Sequence, residues 1–99
     1  MLRLSPKEAL VLGMLISGAR ERYGLELVEL SKGQLRRGTI YVTLGRMEEK
    51  GLVSSRRESA GDATTIPRRQ YRPTGLGRSV LRAHEQYAHS IGRIVPNPA

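Results

Sequence analysis

Residues 36–53 read RRGTIYVTLGRMEEKGLV, and this stretch decides which fold the sequence adopts. Ile40, Leu44 and Met47 recur at intervals of four and three residues, which is the spacing of one face of an α-helix. Two arginines and a glycine come first, and a lysine followed by a glycine is typical of a helix C-terminus. The pattern therefore predicts a helix over about 38–50 that buries one face and leaves a polar, cationic face outside.

Two more helices are predicted before this one. Residues 6–17 follow a capping box, in which the side chains of Ser5 and Glu8 bond to each other's backbone N–H. The apolar run in this segment imitates a secretory signal, but it is only eight residues long and the capping box favours a helix. A loop over 18–23 leads to the helical segment GLELVELS at 24–31. Three helices in this order, the last two joined by a tight turn, are typical of a helix-turn-helix.

The hydrophobic period changes after the third helix. Residues 52–57 and 69–72 read as short strands, and the Gly-, Ser- and Thr-rich stretch between them predicts a hairpin. A hairpin beside the third helix is a wing. We expect Pro73 to end the second strand and Thr74 to cap a last helix that runs to about Ile94. The predicted fold is mostly α with a small β-hairpin, a winged helix-turn-helix plus one C-terminal helix.

The last helix carries a narrow apolar seam, which is typical of helix pairing. Its members are Leu76, Val80, Ala83, Tyr87, Ile91 and Ile94. The seam pairs either with the chain's own first helix or with a second copy. We favour a homodimer, with Leu10 and Met14 in the interface, because the first helix is apolar on all sides and 99 residues offer little other cover. The predicted units are a winged helix-turn-helix domain at 1–73, a dimerisation helix at 74–95 and a tail at 96–99.

The charge is strongly positive and localised. The formal net charge is +8, and residues 32–57 hold seven basic against two acidic residues. A localised basic surface attracts polyanions, most often nucleic acid, although a solvated basic face without a partner is the alternative. The absence of cysteine excludes disulfides and fits a reducing compartment, so we expect a cytoplasmic protein. No stretch approaches the ~20 apolar residues of a membrane span.

The outward side of the third helix suits the DNA major groove. Its side chains are short, polar or cationic, as close approach and base or phosphate contacts require. The predicted DNA-binding residues in and before this helix are Arg36, Arg37, Thr39, Tyr41, Val42, Thr43, Gly45 and Arg46. Four of them have a second interpretation: Arg36 and Arg37 as solvated residues of the turn, Tyr41 as a half-buried flank residue and Arg46 as an ion-pair partner of Glu49. Gly45 costs about 1 kcal/mol against alanine in a helix, which close backbone approach to a partner would explain.

The predicted wing adds Arg57, Arg68 and Arg69 as further DNA-binding residues. Strand residues alternate between faces, so only about half of the arginines on the wing point the same way. Ion pairs with Glu58 and Asp62 are expected to neutralise some of them. The rest reach backbone phosphate or the minor groove, contacts that supply affinity rather than sequence choice.

Four segments resemble the PadR family of winged-helix transcriptional regulators. They are LSPKEALVLGMLISG, ERYGLELVELS, GTIYVTLGRMEEKGLV and RRQYRPTGLGRSVL, which together cover about residues 4–82. The resemblance implies a dimeric repressor, a C-terminal helix that carries dimerisation, and reading of operator DNA by Tyr41 and its neighbours. Because one helix follows the wing, the chain is similar to the subgroup with a short C-terminal part.

The sequence departs from the family pattern at two positions of the third helix. Val42 stands where family members commonly have proline, and Gly45 is unusual there. Some relatives bind flat aromatic effectors beside a tryptophan, which this chain lacks, so no effector site or cofactor is assigned. We therefore expect double-stranded DNA and a second copy of the chain as partners, and a palindromic operator.

Two other classes of function compete with a DNA-binding regulator. An enzyme is disfavoured because the only histidines are His84 and His89, and without a cysteine or a carboxylate cluster they form neither a triad nor a metal site. A winged-helix protein-interaction module without specific DNA binding is the stronger alternative. The basic excess of 32–57 argues against it.

Overall fold

The computed structural model describes residues 3–18, 20–58 and 68–94, with the backbone alone from 88 to 94. Within these residues the chain forms four helices and three strands. In chain order they are α1 (Pro6–Gly18), β1 (Arg22–Tyr23), α2 (Gly24–Leu30), α3 (Ile40–Glu49), β2 (Val53–Arg57), β3 (Arg69–Pro73) and α4 (Gly75–Ile94). The predicted fold class is confirmed: the helix-turn-helix is α2 and α3, the wing is β2 and β3, and α4 follows.

The start of α1 is the capping box that the sequence predicts. The Ser5 N–H donates to Glu8 Oε1 at 2.9 Å, and the Glu8 N–H donates to Ser5 Oγ at 3.1 Å. The second carboxylate oxygen of Glu8 accepts a 2.9 Å ion-pair hydrogen bond from Lys50 Nζ at the end of α3. Glu8 is buried, so one side chain both begins α1 and ties it to α3.

The core lies between α1, α3 and the sheet. The predicted inward face of α3 is confirmed, because Ile40, Leu44 and Met47 are all buried. They join Leu4, Val11, Leu12, Leu15, Leu27, Leu35, Leu52, Val53, Tyr71 and Leu81 in one apolar cluster. Leu10 and Met14 of α1 pack partly against this cluster. One chain therefore covers more of α1 than its all-round apolar sequence led us to expect.

The sheet has a third strand that the sequence did not predict. Its order is β1-β3-β2, and both neighbours pair antiparallel to β3. Arg22 and Tyr23 were expected in a loop, and that prediction is wrong because two residues are too few to show alternation and their partners, Tyr71 and Gln70, are far along the chain. Pro73 ends β3 as expected, but it is itself the last paired residue, opposite Val53.

α4 docks on the sheet through a glycine. A Cβ added at Gly77 would lie 2.1 Å from the carbonyl oxygen of Leu52, so only glycine permits this approach. Thr74 is the predicted cap: its Oγ1 accepts a hydrogen bond from the Gly77 N–H at 3.0 Å, and its own N–H donates to the Leu52 carbonyl at 3.1 Å. Leu81, one turn after Gly77, is buried.

The apolar seam of α4 lies mostly outside the core. Leu76 is 47% exposed and Tyr87 is 68% exposed, whereas Val80 is half-buried. The seam is therefore exposed at Leu76 and Tyr87, while Val80 packs partly against the core. Ile91 and Ile94 have side chains outside the described residues, as does the tail from residue 95.

Candidate nucleic-acid interface

The outer face of α3 is open to solvent. Thr39, Tyr41, Val42 and Arg46 are exposed, with Val42 at 55% despite being apolar. Thr43 and Gly45, which lie toward the flank, are half-buried. An exposed valine beside short polar side chains forms a surface that a partner can approach closely.

Arg36 and Arg37 sit in the turn that leads into α3, and both are exposed. The carbonyl of Arg36 accepts hydrogen bonds from the backbone N–H groups of Thr39, at 3.2 Å, and Ile40, at 3.0 Å. The turn is anchored at its other end by buried Ser31, whose Oγ accepts from the Leu35 N–H at 2.9 Å. The backbone of the two arginines is therefore held by hydrogen bonds next to the N-terminus of α3.

Tyr41 is both packed against the chain and exposed to solvent, as a residue on the flank of α3 is expected to be. A Cβ at Gly24 would lie 2.8 Å from Tyr41 Cε1, so the ring lies against the first residue of α2. The side chain is nevertheless 51% exposed. Glycine at the start of α2 is the signal that this contact leaves in the sequence, and sequence reasoning missed it.

Gly45 has no packing reason to be glycine. A Cβ added there meets nothing within 4 Å. Alanine is the better helix former by about 1 kcal/mol. The described residues therefore leave the space beside Gly45 open, at the side of α3 that carries Val42 and Arg46.

The wing divides its side chains between two faces. Antiparallel pairing sets Ser55 opposite Tyr71 and Arg57 opposite Arg69, and alternation puts these pairs on the face of the sheet that holds the buried Tyr71 ring. We call this the inner face. Ser54 opposite Arg72 and Arg56 opposite Gln70 lie on the other, outer face.

Arginines of the outer face are bound within the chain. Arg56 Nε lies 2.6 Å from Glu21 Oε2, and its Nη2 donates to Gln70 Oε1 at 2.9 Å. Arg72 Nε donates to Ser54 Oγ at 3.0 Å. The acidic partner is thus Glu21 rather than Glu58, a correction of the sequence prediction.

Glu58 and Arg68 instead face the edge strand β1. The Tyr23 hydroxyl donates to Glu58 Oε2, and the Arg68 guanidinium lies 5.5 Å from the centroid of the Tyr23 ring. Arg68 is therefore set apart from Arg57 and Arg69, with which the sequence grouped it. Asp62 lies outside the described residues.

Arg57 and Arg69 are exposed on the inner face. The predicted DNA-binding arginines share one property: none forms an ion pair with a described carboxylate. They are Arg36, Arg37, Arg46, Arg57, Arg68 and Arg69. Arg46 accordingly does not pair with Glu49, which was its alternative role. An arginine whose charge is not neutralised by a nearby carboxylate can attract an external anion.

The hydroxyl of Tyr71 stays protonated between these charges. Burial raises its pKa, the carboxylate of Glu48 raises it further, and the guanidinium of Arg69 lowers it. Tyr71 is therefore close both to Glu48, in the C-terminal half of α3, and to Arg69, on the inner face of the wing.

An open apolar groove of about 690 Å³ lies along α4, and the core residue Leu4 forms part of its wall. Its walls are Arg3, Leu4, Leu76, Ser79, Val80, Ala83, His84 and Tyr87. Four members of the predicted seam, Leu76, Val80, Ala83 and Tyr87, therefore lie together on one surface.

The part of the chain that the structure describes holds neither a cluster of metal-binding side chains nor a membrane-spanning helix. No three His, Cys, Asp or Glu side chains there group closely enough to hold a metal ion. None of the described helices combines the length and the apolar character needed to cross a membrane.

Comparison with solved structures finds the same fold in several regulators. A PadR family transcription regulator from Clostridium difficile R20291 is 26% identical, with 88% of this chain and 91% of that chain covered and a TM-score of 0.73. A PadR family transcriptional regulator from Eggerthella lenta DSM 2243 is 28% identical, covers 92% of this chain and 85% of its own, and has a TM-score of 0.70. A Streptococcus transcriptional regulator is 26% identical, with 88% and 85% covered and a TM-score of 0.67.

The sequence matches no protein of curated function. Residues 11–83, from the middle of α1 to the middle of α4, match the Transcriptional regulator PadR-like family. That range includes the helix-turn-helix, the wing and the start of the seam. The chain therefore belongs to the PadR-like family of transcriptional regulators, which are DNA-binding proteins.

Proposed function

We propose that the chain is a homodimeric repressor in the cytoplasm that sets α3 of each copy in the major groove of a palindromic operator. One observation carries the proposal: α3 buries Ile40, Leu44 and Met47 and leaves its other side open among arginines without described carboxylate partners. A side of this size and polarity suits the major groove.

Three kinds of contact follow for the proposed DNA-binding residues. Thr39, Val42 and Arg46 read base edges, with Val42 against a thymine methyl group. Gly45 lets the helix backbone approach closely. The remaining residues, Arg36, Arg37, Tyr41, Thr43, Arg57, Arg68 and Arg69, contact phosphate or the edge of the minor groove. Glu48 and Glu49 repel phosphate, so the N-terminal half of α3 lies deepest.

The homodimer is proposed from the exposed seam of α4. Leu76 and Tyr87 are large and about half or more exposed, and burying such side chains stabilises a dimer by about 25 cal/mol per Å² of apolar surface. The interface adds Val80, Ala83, Ile91 and Ile94, with Leu10 and Met14 from α1. Residues 1–73 then bind DNA, 74–95 dimerise and 96–99 form a tail.

A selection from a random duplex library tests sequence-specific binding. We expect one enriched sequence whose footprint shows two half-sites about 10 bp apart, one helical turn, because a dimer presents two copies of α3. Affinity falls steeply with salt, and Arg46→Ala weakens binding about tenfold. Arg82→Ala, on the exposed side of α4, is the matched control.

The outcomes separate the candidate functions. Enrichment of no sequence, with weak binding that follows charge alone, would support the protein-interaction module instead. For the dimer, Tyr87→Glu should yield a monomer in light scattering that protects only one half-site. A reporter gene behind the selected sequence should be less active when the protein is present, as repression requires.

A further inference from the structure

Ser55 of the wing is bonded to α3 through Glu48. One carboxylate oxygen, Oε2, accepts a hydrogen bond from the Ser55 N–H at 2.9 Å and a second from the Ser55 hydroxyl at 2.7 Å. Hydrogen bonds to an ionised acceptor are shorter and stronger than neutral ones. Glu48 therefore holds the middle of β2 against the C-terminal half of α3.

The same hydroxyl is bonded on its other side. Ser55 Oγ accepts a hydrogen bond from Arg69 Nη1 at 3.1 Å. A hydroxyl has one proton to donate and lone pairs to accept with, so this arrangement uses both capacities. Arg69, Ser55 and Glu48 thus form a chain of hydrogen bonds that runs from the wing to α3.

We propose that Ser55 is a positioning residue for DNA binding: through the Glu48 anchor it orients the guanidinium of Arg69 toward the phosphate next to α3. The inference rests on the proposed function. An exposed arginine has several rotatable bonds, and fixing it beforehand lowers the entropy lost on binding. Glu48, a source of repulsion for phosphate, takes its position from the wing instead of extending toward the groove.

Ser54 offers a matched control one residue away. Its hydroxyl accepts from Arg72 Nε at 3.0 Å on the outer face, opposite to the face on which Ser55 bonds to Glu48. Ser54→Ala and Ser55→Ala each remove one hydroxyl that accepts from an arginine of β3. They differ in the face of the sheet and in the link to Glu48.

The test measures fluorescence anisotropy of the selected duplex over a range of salt concentrations. We expect Ser55→Ala to weaken binding about fivefold and to lower the salt dependence by roughly one phosphate contact, whereas Ser54→Ala leaves both unchanged. Ser55→Thr keeps the hydroxyl and should restore binding. In an Arg69→Ala background, Ser55→Ala should cost no further affinity, because the group that it positions is gone.

Each alternative outcome decides the question. If Ser55→Ala and Ser54→Ala bind alike, or if the losses from Ser55→Ala and Arg69→Ala simply add, Ser55 does not position Arg69. Tighter binding by Ser55→Ala would mean that the hydrogen-bond chain withholds Arg69 from DNA, which overturns the inference as well. If the unaltered protein selects no duplex, the proposed function itself fails.

Discussion

Gly77 and Gly45 both lie inside helices of this chain, yet their surroundings differ. A Cβ at Gly77 would sit 2.1 Å from the Leu52 carbonyl oxygen, whereas a Cβ at Gly45 meets nothing within 4 Å. The fold requires the first glycine. The second is required by nothing in the described chain, and a helix gains about 1 kcal/mol when glycine becomes alanine. The difference separates a glycine that the packing requires from one that the described packing does not explain.

The same contrast divides the charged groups. Where α1 meets α3, buried Glu8 is satisfied by the Ser5 N–H and by Lys50. On the inner face of the wing, Arg57 has no carboxylate partner among the residues described. The charge of Glu8 is therefore satisfied inside the fold, whereas the charge of Arg57 is available to an external anion.

The largest effect is expected at Gly77, where the packing leaves no space for a side chain. Gly77→Ala drives a methyl group into a backbone carbonyl that cannot move without displacing β2, so we expect about 3 kcal/mol of destabilisation. The melting temperature should fall by more than about 10 °C in a chain of this size. Gly75→Ala, two residues earlier with nothing within 4 Å, should leave it nearly unchanged. Equal melting temperatures would show that α4 does not depend on this contact.

A smaller effect is expected at Glu8, and it depends on pH. Burial alone would raise the pKa of Glu8, but hydrogen bonds from Ser5 and Lys50 and the Lys50 charge outweigh burial and lower it. Because the folded pKa lies below the unfolded one, the contribution is complete above about pH 5 and is lost as the pH falls through the lowered value.

Glu8→Gln should therefore reduce the free energy of unfolding by about 1.5 kcal/mol at pH 7 and by less at pH 3.5. Urea denaturation at the two pH values measures the difference. Glu29→Gln, an exposed change on α2, should have little effect at either pH. A loss for Glu8→Gln that is the same at both pH values would exclude the charged pair as its cause.

The local features of the fold could be predicted from the sequence, because they depend only on residues that are close together in the chain. The Ser5–Glu8 capping box and the inward face of α3 need only a few positions and a period. The strand β1 could not be predicted, since its two residues pair with β3 almost 50 positions later. The choice of Leu81 over Leu76 as the buried residue of α4 likewise depends on the Gly77 contact with Leu52.

The candidate site shows the same limit. Exposure of Val42 and Arg46 follows from 100° per residue, and the structure agrees. Alternation predicted that half of the wing arginines share a face, but only the register reveals that Arg57 and Arg69 do so while Arg56 binds Glu21. That these residues contact DNA stays a prediction.

Arg57 and Arg56 are adjacent in β2 but lie on opposite faces of the sheet, so substituting each in turn tests whether the face matters for DNA binding. Arg57→Ala removes a cation without a carboxylate partner among the described residues, so we expect affinity for the selected duplex to fall about fivefold, or about 1 kcal/mol, with a lower salt dependence. Arg56→Ala removes an arginine already bound to Glu21 and should change affinity less than about twofold. Anisotropy titrations compare the two. Equal losses would mean that net charge matters and the face of the sheet does not.

The smallest effect is expected at Gly45, where there is space for a side chain. We expect the substitution to raise the stability of the fold and to lower the affinity for DNA. Gly45→Ala should stabilise the fold by roughly 0.5–1 kcal/mol, because alanine loses less backbone entropy and has room for its methyl group. If the DNA backbone fills that room, the same methyl group should weaken binding to the selected duplex. Thermal denaturation and anisotropy measure the two effects separately.

Gly13→Ala is the matched control, since Gly13 lies inside α1 and a Cβ there also meets nothing within 4 Å. It should stabilise the fold by a similar amount without affecting DNA binding. A gain in stability with lost affinity at Gly45 alone would separate the partner's requirement from the fold's. Unchanged affinity of Gly45→Ala would instead place the DNA away from this side of α3, because a close approach leaves no space for an added methyl group.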